Sequence, residues 1–428
     1  MRSLRYTDPG FNEALKLLRR RFSPAAGVEK TVRAILSQVR LRGDEALVRL
    51  TKKFGGPNLK PAELRVTAGE LGRARQSVSA QTKNAVAEAR VNVLAFAKRG
   101  LRKDWRGRNR QGVEVGERFD PFSRVGIYVP GGTAPLVSTA IMTVSLAVAA
   151  GVPEIVVTTP PDTSGAVNAD LLYALQQAGA TEIFKVGGAQ AIAALAYGTA
   201  SIAPVLKIFG PGNSYVVEAK RQVFGRVAVD LLPGPSEILV IADDTGEGAW
   251  IASDLLAQAE HGQGSFAGLI TDSKRLLADV EKKLLSQSRQ LRRAGHLAAA
   301  LEEGGFLILV EKIEDAVAVA NEFAPEHLSI VTKNDEAFAR RIHTAGAIFL
   351  GGLSPVVGGD FIAGPSHELP TGGAGKSFSG LTADQFQRRT SILRFDAKSL
   401  AASLPAIQTF SEIEGLDAHG RSAAIRLE

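Results

Sequence analysis

Residues 125–159, VGIYVPGGTAPLVSTAIMTVSLAVAAGVPEIVVTT, begin and end in short apolar runs and carry a longer, Ala-rich apolar stretch between them. VGIYV and EIVVTT are short and rich in β-branched residues, as buried strands are, whereas residues 137–150 are long enough for a helix. The turn VPGGTAP separates the first strand from that helix. Strand, helix, strand is the unit of a largely parallel sheet, because parallel neighbours need a long crossover. The same texture continues through IFKV and VLKIF, with helices expected at about 166–178 and 189–197. A second series starts at ILVIAD and runs through FAGLIT, FLILV, LSIVT and AIFLGG. Upstream, VEKTVRAILSQV and KNAVAEARVNVLAFA repeat apolar residues at three and four, the helical period, and Gly43 and the GGPN at 55–58 break that region into separate helices. Downstream, SLAASLPAIQTFSEIEGLDAHGRSAAIRLE is again helical in pattern. The expected organisation is a helical region over 1–120, α/β domains over 121–237 and 238–381, and a helical tail over 382–428.

At 428 residues the chain exceeds what one core normally serves, so more than one domain is expected. Hydrophobic residues at 45% and charged residues at 22% are ordinary globular values and argue against a disordered or fibrous chain. The absence of cysteine excludes disulfides, thiolate metal sites and a catalytic thiol. The amino-terminal stretch MRSLRYTDPGFNEALKLLRRRF lacks the apolar core of a secretory signal, so a cytoplasmic location is expected. The most apolar stretch, 137–152, is interrupted by Ser and Thr and falls short of a spanning length, so no membrane partner is expected. The net charge of +7 is concentrated early, with seven basic residues between Lys98 and Arg110. Those residues read either as a nucleic-acid patch with Trp105 as a stacking platform or as a solvated helix end and loop. The second is the expectation, and with it no nucleic-acid partner.

LLAQAEHGQG, residues 255–264, places Gln258 and His261 three apart, on one face of a helix expected over 248–261, with Glu260 pointing elsewhere. That spacing suits two ligands of one metal ion, and further donors stand at loops and helix ends. FAPEHLSI carries Glu326 and His327, GGDFIAGPSHELPTGG carries Asp360 and His367, and EIEGLDAH carries Glu414 and His419. Four of six histidines thus accompany a carboxylate or amide. Nitrogen and oxygen donors without sulfur point to zinc or manganese. The turns VPGGTAP, VGGAQA and FGPGNSY each lie between a strand and a helix, where free amides can receive an anionic group. None is G-x-G-x-x-G, and PTGGAGKS misses the P-loop at Pro370, so glycine spacing alone leaves a nucleotide site open.

IYVPGGTAPLVSTAIM, VGGAQAIAALAYGT, KIFGPGNSYVVEAKR, GPSEILVIAD, SDLLAQAEHG, FAPEHL and GAIFLGG together resemble the histidinol dehydrogenase family, in the same order and close to the expected spacing. The likeness is dense from Val125 to Leu393 and looser at both ends. It implies two incomplete Rossmann-like domains, similar to those of aldehyde dehydrogenases, with a helical amino-terminal segment and a small helical tail swapped onto a partner subunit. It also implies zinc-dependent, NAD-linked oxidation of L-histidinol to L-histidine through the aldehyde and its hydrate, the last step of histidine biosynthesis. By position, Gln258, His261, Asp360 and His419 match the ligands of one zinc ion per subunit, His419 coming from the partner in a homodimer. Glu326 and His327 match the catalytic acid–base pair. Ser236, His367 and Glu414 match substrate-contacting positions, as do Gln258, His261, His327, Asp360 and His419. Tyr128, Gln190 and Asn213 match positions near the nicotinamide cofactor. Ser366 and Glu368 depart from the Asn and Val that more often flank the histidine in the family, so different contacts are expected in that loop. Outside the resemblance, a zinc hydrolase with Glu326 as base and a nucleic-acid-binding protein are the rival readings. Many aldehyde-oxidising enzymes pass through a cysteine thiohemiacetal, a route closed to a chain without cysteine.

Overall fold

Val125 and Ile127 on one face of a strand and Tyr128 on the other are all buried, so both faces are covered and the strand shows no polar alternation. The computed structural model describes residues 1–17, 27–131, 135–262, 264–292 and 294–428. Its strands, in chain order, are Arg2–Arg5 (β1), Trp105–Arg108 (β2), Glu114–Pro121 (β3), Arg124–Tyr128 (β4), Glu154–Thr159 (β5), Glu182–Lys185 (β6), Lys207–Phe209 (β7), Ala228–Val229 (β8), Glu237–Ala242 (β9), Phe266–Thr271 (β10), Gly305–Leu309 (β11), His327–Val331 (β12), Ala347–Leu350 (β13) and Gln387–Arg394 (β14).

The first sheet has the order β6-β5-β4-β7-β8 and is parallel throughout. Helices Val137–Ala149 and Ala169–Ala178 pack into the core on one face. Helices Gly188–Tyr197 and Ser214–Val223 cover the other face, together with the amino-terminal helix Val28–Arg42. Gly126 allows that second layer to come close, since a Cβ there would meet Leu195 at 2.9 Å. Helix Val137–Ala149 is buried on almost every side, so its hydroxyls need internal partners. Thr143 Oγ1 donates to the Thr139 carbonyl at 2.7 Å.

The second sheet, β1-β11-β10-β9-β12-β13, is parallel as well. Helices Gly248–Ala259, Lys274–Ser288 and Ala294–Gly304 cover one face, and Asp315–Phe323 lies on the other. The chain is therefore α/β with two separate parallel sheets, each between helical layers. Among the described residues no helix is long and apolar enough to cross a membrane.

Two expectations need correction. The region 1–120 is not wholly helical, because Arg2–Arg5 adds an edge strand to the distant second sheet, Arg2 lying opposite Phe306. The tail from 382 is not wholly helical either, because β14 pairs antiparallel with β3 from Gln387↔Pro121 to Arg394↔Glu114, and β2 completes a third sheet. The residues of β2 are all exposed and those of β14 largely so, so the alternation that reveals a half-buried strand is missing from the sequence. Beyond β14, helix Ala397–Glu414 starts at Asp396, whose carboxylate accepts from Ser399 N, and packs against helix Asp417–Ala424.

Two of the seven basic residues of that stretch, and its tryptophan, find partners within the third sheet. Trp105 Nε1 donates to Glu117, Arg106 pairs with Glu114, and Arg108 donates to the Gly112 carbonyl.

Candidate active site

Glu326 and His327 stand where helix Asp315–Phe323 gives way to β12, so His327 is the first residue of its strand. Ser236 and Glu237 lie at the start of the neighbouring strand β9. Parallel pairing brings these two strand starts side by side. Ser236 Oγ donates to Glu326 Oε2 at 2.5 Å and Glu237 N donates to the same oxygen at 2.8 Å. Both Glu326 and His327 are buried. Burial pushes the Glu326 carboxyl up to about 7, against the pull of His327, Ser236 and the Glu237 amide.

His327 Nδ1 lies 2.9 Å from the Glu237 carbonyl. A carbonyl only accepts, so Nδ1 carries a proton and Nε2 is the atom left to exchange one. Nε2 faces Asp360 Oδ1 at 3.4 Å, without a well-formed hydrogen bond. Burial opposes a charge on His327, but Glu326 and Asp360 outweigh it and raise the imidazole to about 9. Burial would raise Asp360, yet the neighbouring His327 imidazole holds it below the ordinary carboxylate range.

Asp360 lies in the short helix Val356–Phe361. Its carbonyl accepts from His367 Nδ1 at 2.9 Å, and His367 Nε2 meets Thr139 Oγ1 at 3.0 Å and Glu368 Oε1 at 3.5 Å. Burial works against a charge on His367, and Glu368 more than offsets it, so this imidazole is also raised. Thr139 belongs to the buried helix of the first sheet, so the two α/β units meet at this loop. His261 follows helix Gly248–Ala259 and is exposed, while surrounding protein still desolvates the ring enough to lower its pKa. The charges it feels are those of Asp360, His327 and His367, along with Glu260. Gln258 is buried in the last turn of the same helix, and its Nε2 has no hydrogen-bond partner. Glu260 is exposed. Beside this cluster lies a cavity of about 490 Å³, reached by His327, Asp360 and His367 and walled by apolar residues such as Phe349, Leu350, Ile362 and Leu369.

Ser236, Glu326, His327, Asp360 and His367 are thus joined by direct contacts, with His261 within reach of their charges. Glu414 and His419 are not joined to them within one chain. Both are exposed, and among the described residues neither side chain makes a hydrogen bond or ion pair. Among the described residues no group of three His, Cys, Asp or Glu side chains forms a metal cage.

Tyr128, Gln190 and Asn213 lie at the carboxyl ends of β4, β6 and β7 or just beyond. Tyr128 OH accepts from Gly188 N at 3.1 Å, and burial raises its pKa despite that bond. Gln190 is buried beside Gly188, and Asn213 Oδ1 caps the next helix by accepting from Tyr215 N and Val216 N. In the order β6-β5-β4-β7-β8 the connections reverse direction between β4 and β7, which places the ligand crevice of such a sheet between Tyr128 and the turn after Phe209. Of the VPGGTAP turn, residues 132–134 lie outside the described residues.

Sequence patterns missed Glu237 and Thr139, and marked Glu368 only as a departure beside His367. Glu237 holds His327 through its carbonyl and Glu326 through its amide, while its carboxylate accepts from Gly372 N at 2.6 Å. A carboxylate opening an apolar strand in GPSEILVIAD was the available signal. Thr139 had none, since a threonine inside an apolar helix normally satisfies itself locally.

The profile of the family described as histidinol dehydrogenase matches residues 18–427. Histidinol dehydrogenase of Rhodopseudomonas palustris is 48% identical over 403 residues, covering 94% of this chain and 93% of the relative. The enzyme of the same name from Geobacillus kaustophilus is 44% identical, covering 94% of this chain and 95% of its own length. The crystal structure of histidinol dehydrogenase from Elizabethkingia anophelis superimposes with a TM-score of 0.95 at 35% identity, covering 100% of this chain and 98% of that one. An acetylating aldehyde dehydrogenase from Geobacillus thermoglucosidasius shares the fold at a TM-score of 0.50 and 15% identity, covering 90% of this chain and 94% of that one.

Proposed function

The chain belongs to the histidinol dehydrogenase family, and from that membership we propose that it oxidises L-histidinol to L-histidine in two NAD-linked steps at a zinc site shared between the subunits of a cytoplasmic homodimer. The observation that carries the chemistry is the convergence of Glu326, His327 and Asp360 beside one cavity, with His327 Nε2 as the free proton-exchanging atom.

The donors suit a divalent cation. Asp360 and His261 supply oxygen and nitrogen, and the buried amide of Gln258, which would bind a cation through Oε1, has one end without a hydrogen-bond partner, an end that a flip of the amide makes the oxygen. Gln258, His261 and Asp360 would hold the ion from one chain, and His419 of the partner subunit would complete four ligands. The exposed Phe410 and Ile413 of the terminal helices favour a tail that packs on a second copy. When bound, the ion anchors the imidazole and amine nitrogens of the amino alcohol. Tyr128, Gln190 and Asn213 would hold NAD in the crevice between β4 and β7, and the cofactor would supply the hydride acceptor.

An alcohol releases hydride only if its hydroxyl proton also leaves, and His327 Nε2 would take that proton in the neutral form of the ring, which a cation held by Asp360 would favour by offsetting the charge that otherwise keeps the imidazole protonated. The aldehyde must then add water to become the hydrate, which again carries a hydrogen on the carbon and a hydroxyl proton to lose. Glu326, held near neutrality by its burial, takes a proton from the attacking water. Ser236 keeps the carboxylate aimed, and Asp360 with the partner's Glu414 offsets the positive charge of the substrate. Zinc-supplemented protein mixed with L-histidinol and NAD⁺ should raise absorbance at the NADH band, yielding two NADH for each histidinol consumed. Zinc-loaded protein that produces none removes this reading.

A further inference from the structure

Lys220 and Asp230 form an ion pair inside the first α/β unit, with side chains only 1% and 4% exposed. Their remaining bonds go to a single residue. Lys220 Nζ donates to the Gly210 carbonyl at 2.9 Å, and Gly210 N donates to Asp230 Oδ2 at 2.7 Å. One buried pair therefore grips both polar groups of Gly210. That residue has φ +103, and a Cβ there would lie 2.1 Å from the Tyr128 carbonyl. Only glycine fits, and glycine is the residue least able to hold a conformation by itself.

The three residues belong to consecutive elements. Gly210 follows β7, Lys220 lies in helix Ser214–Val223, and Asp230 follows β8. Asp230 N also donates to the Ile208 carbonyl, so the carboxylate is itself anchored to β7. All of this sits on the side of the reversal point opposite Tyr128. A buried ion pair is weak evidence for stability, because apolar replacements of similar size are often neutral or better. A pair whose bonds converge on one turn serves the shape of that turn.

We propose that Lys220 and Asp230 are a positioning pair for the dinucleotide: they pre-set the Gly210–Asn213 turn, so that NAD binds without paying to order it. The inference rests on the cofactor reading above.

The test is the double variant Lys220→Met with Asp230→Leu, which removes both charges together. The Kd for NAD⁺ should rise about tenfold or more, while zinc content and the Kd for histidinol stay within about twofold and the melting temperature falls only by the few degrees that the two unpaired backbone groups of Gly210 cost. A folded double variant whose NAD⁺ affinity stays within about twofold of the parent overturns the proposal. Hydrogen exchange on the unaltered protein gives an answer that does not depend on the variant folding. The peptide over residues 207–216 should exchange slowly without NAD⁺ and no more slowly with it. Fast exchange in the free enzyme that NAD⁺ suppresses shows that the turn is not pre-set. An unaltered protein that binds no NAD⁺ by titration overturns the cofactor reading itself, and this inference with it.

Discussion

His327 draws its role from its surroundings. The Glu237 carbonyl occupies one ring nitrogen and leaves the other facing Asp360 and the cavity. Glu326, one position earlier, is bound by Ser236 and the Glu237 amide and lies 3.6 Å from the other ring nitrogen. The proposed assignment of water activation to Glu326 yields a sharp expectation for Glu326→Gln. The aldehyde-to-acid step should slow by about 10²-fold or more, while the alcohol-to-aldehyde step changes far less, since only the former needs activated water. Single-turnover rates measured from histidinol and from the aldehyde separate the two steps, and equal losses would contradict the assignment.

Asp254 carries a different lesson. Burial pushes its carboxyl from 3.8 up to about 6, with no cation to offset it. The folded state therefore binds this proton more tightly than the unfolded state does. Its contribution to stability is complete below about pH 4 and is lost as the pH rises through about 6. Asp254→Asn should leave stability nearly unchanged at pH 4 and raise it by about 1–2 kcal/mol at pH 7, a figure reduced for the partial exposure of the group. Denaturant unfolding at both pH values measures the difference. A gain of equal size at both would mean that the carboxyl is not strained by burial.

Among elements, β4 and β5 were legible because burial on both faces leaves a continuous apolar run, and helix Val137–Ala149 because it is too long to be a strand. The third sheet was not legible. Its strands β3 and β14 are separated by more than half the chain and pair along exposed surfaces, so neither betrays the other locally. What fixes β14 to the body is the aromatic residue just before it. Phe386 stacks on Phe209 with ring centres 3.8 Å apart, and both rings are fully buried. Phe386→Ala should cost about 3–5 kcal/mol, because the cavity it leaves lies between a strand end and a loop that cannot both collapse. Denaturant unfolding reports that loss, and a cost below about 1 kcal/mol would show that the stack is not the anchor.

Considered as an assembly, the molecule uses opposite ends of its two sheets. Ser236, Glu326 and His327 stand at the amino ends of β9 and β12, whereas Tyr128, Gln190 and Asn213 stand at or beyond the carboxyl ends of the first sheet. The loop with His367 joins them through Thr139 and through Ser366, whose Oγ donates to the Met142 carbonyl at 3.2 Å. The terminal helices lie outside this arrangement, with Glu414 and His419 exposed. If each tail completes its neighbour's site, His327→Asn and His419→Asn proteins, each inactive alone, should complement each other. Dissociated and reassociated in equal amounts, they form hybrids with one intact site and should regain about a quarter of the parent activity. A mixture that stays inactive after verified subunit exchange would show that the tail serves its own chain.

The order of residues was enough to establish two α/β series, the glycine turns between strands and helices, and a donor set of imidazoles, carboxylates and an amide with no thiol. These follow from periodicity and residue chemistry, which neighbouring positions carry among themselves. Folding alone chose which donors meet. It set Glu237 against His327, Thr139 and Glu368 against His367, and the Lys220–Asp230 pair under Gly210. It also recruited Arg2–Arg5 to the second sheet and β14 to the third. Such contacts join positions far apart in the chain through packed cores, and no local pattern encodes which distant partner will satisfy a buried polar group.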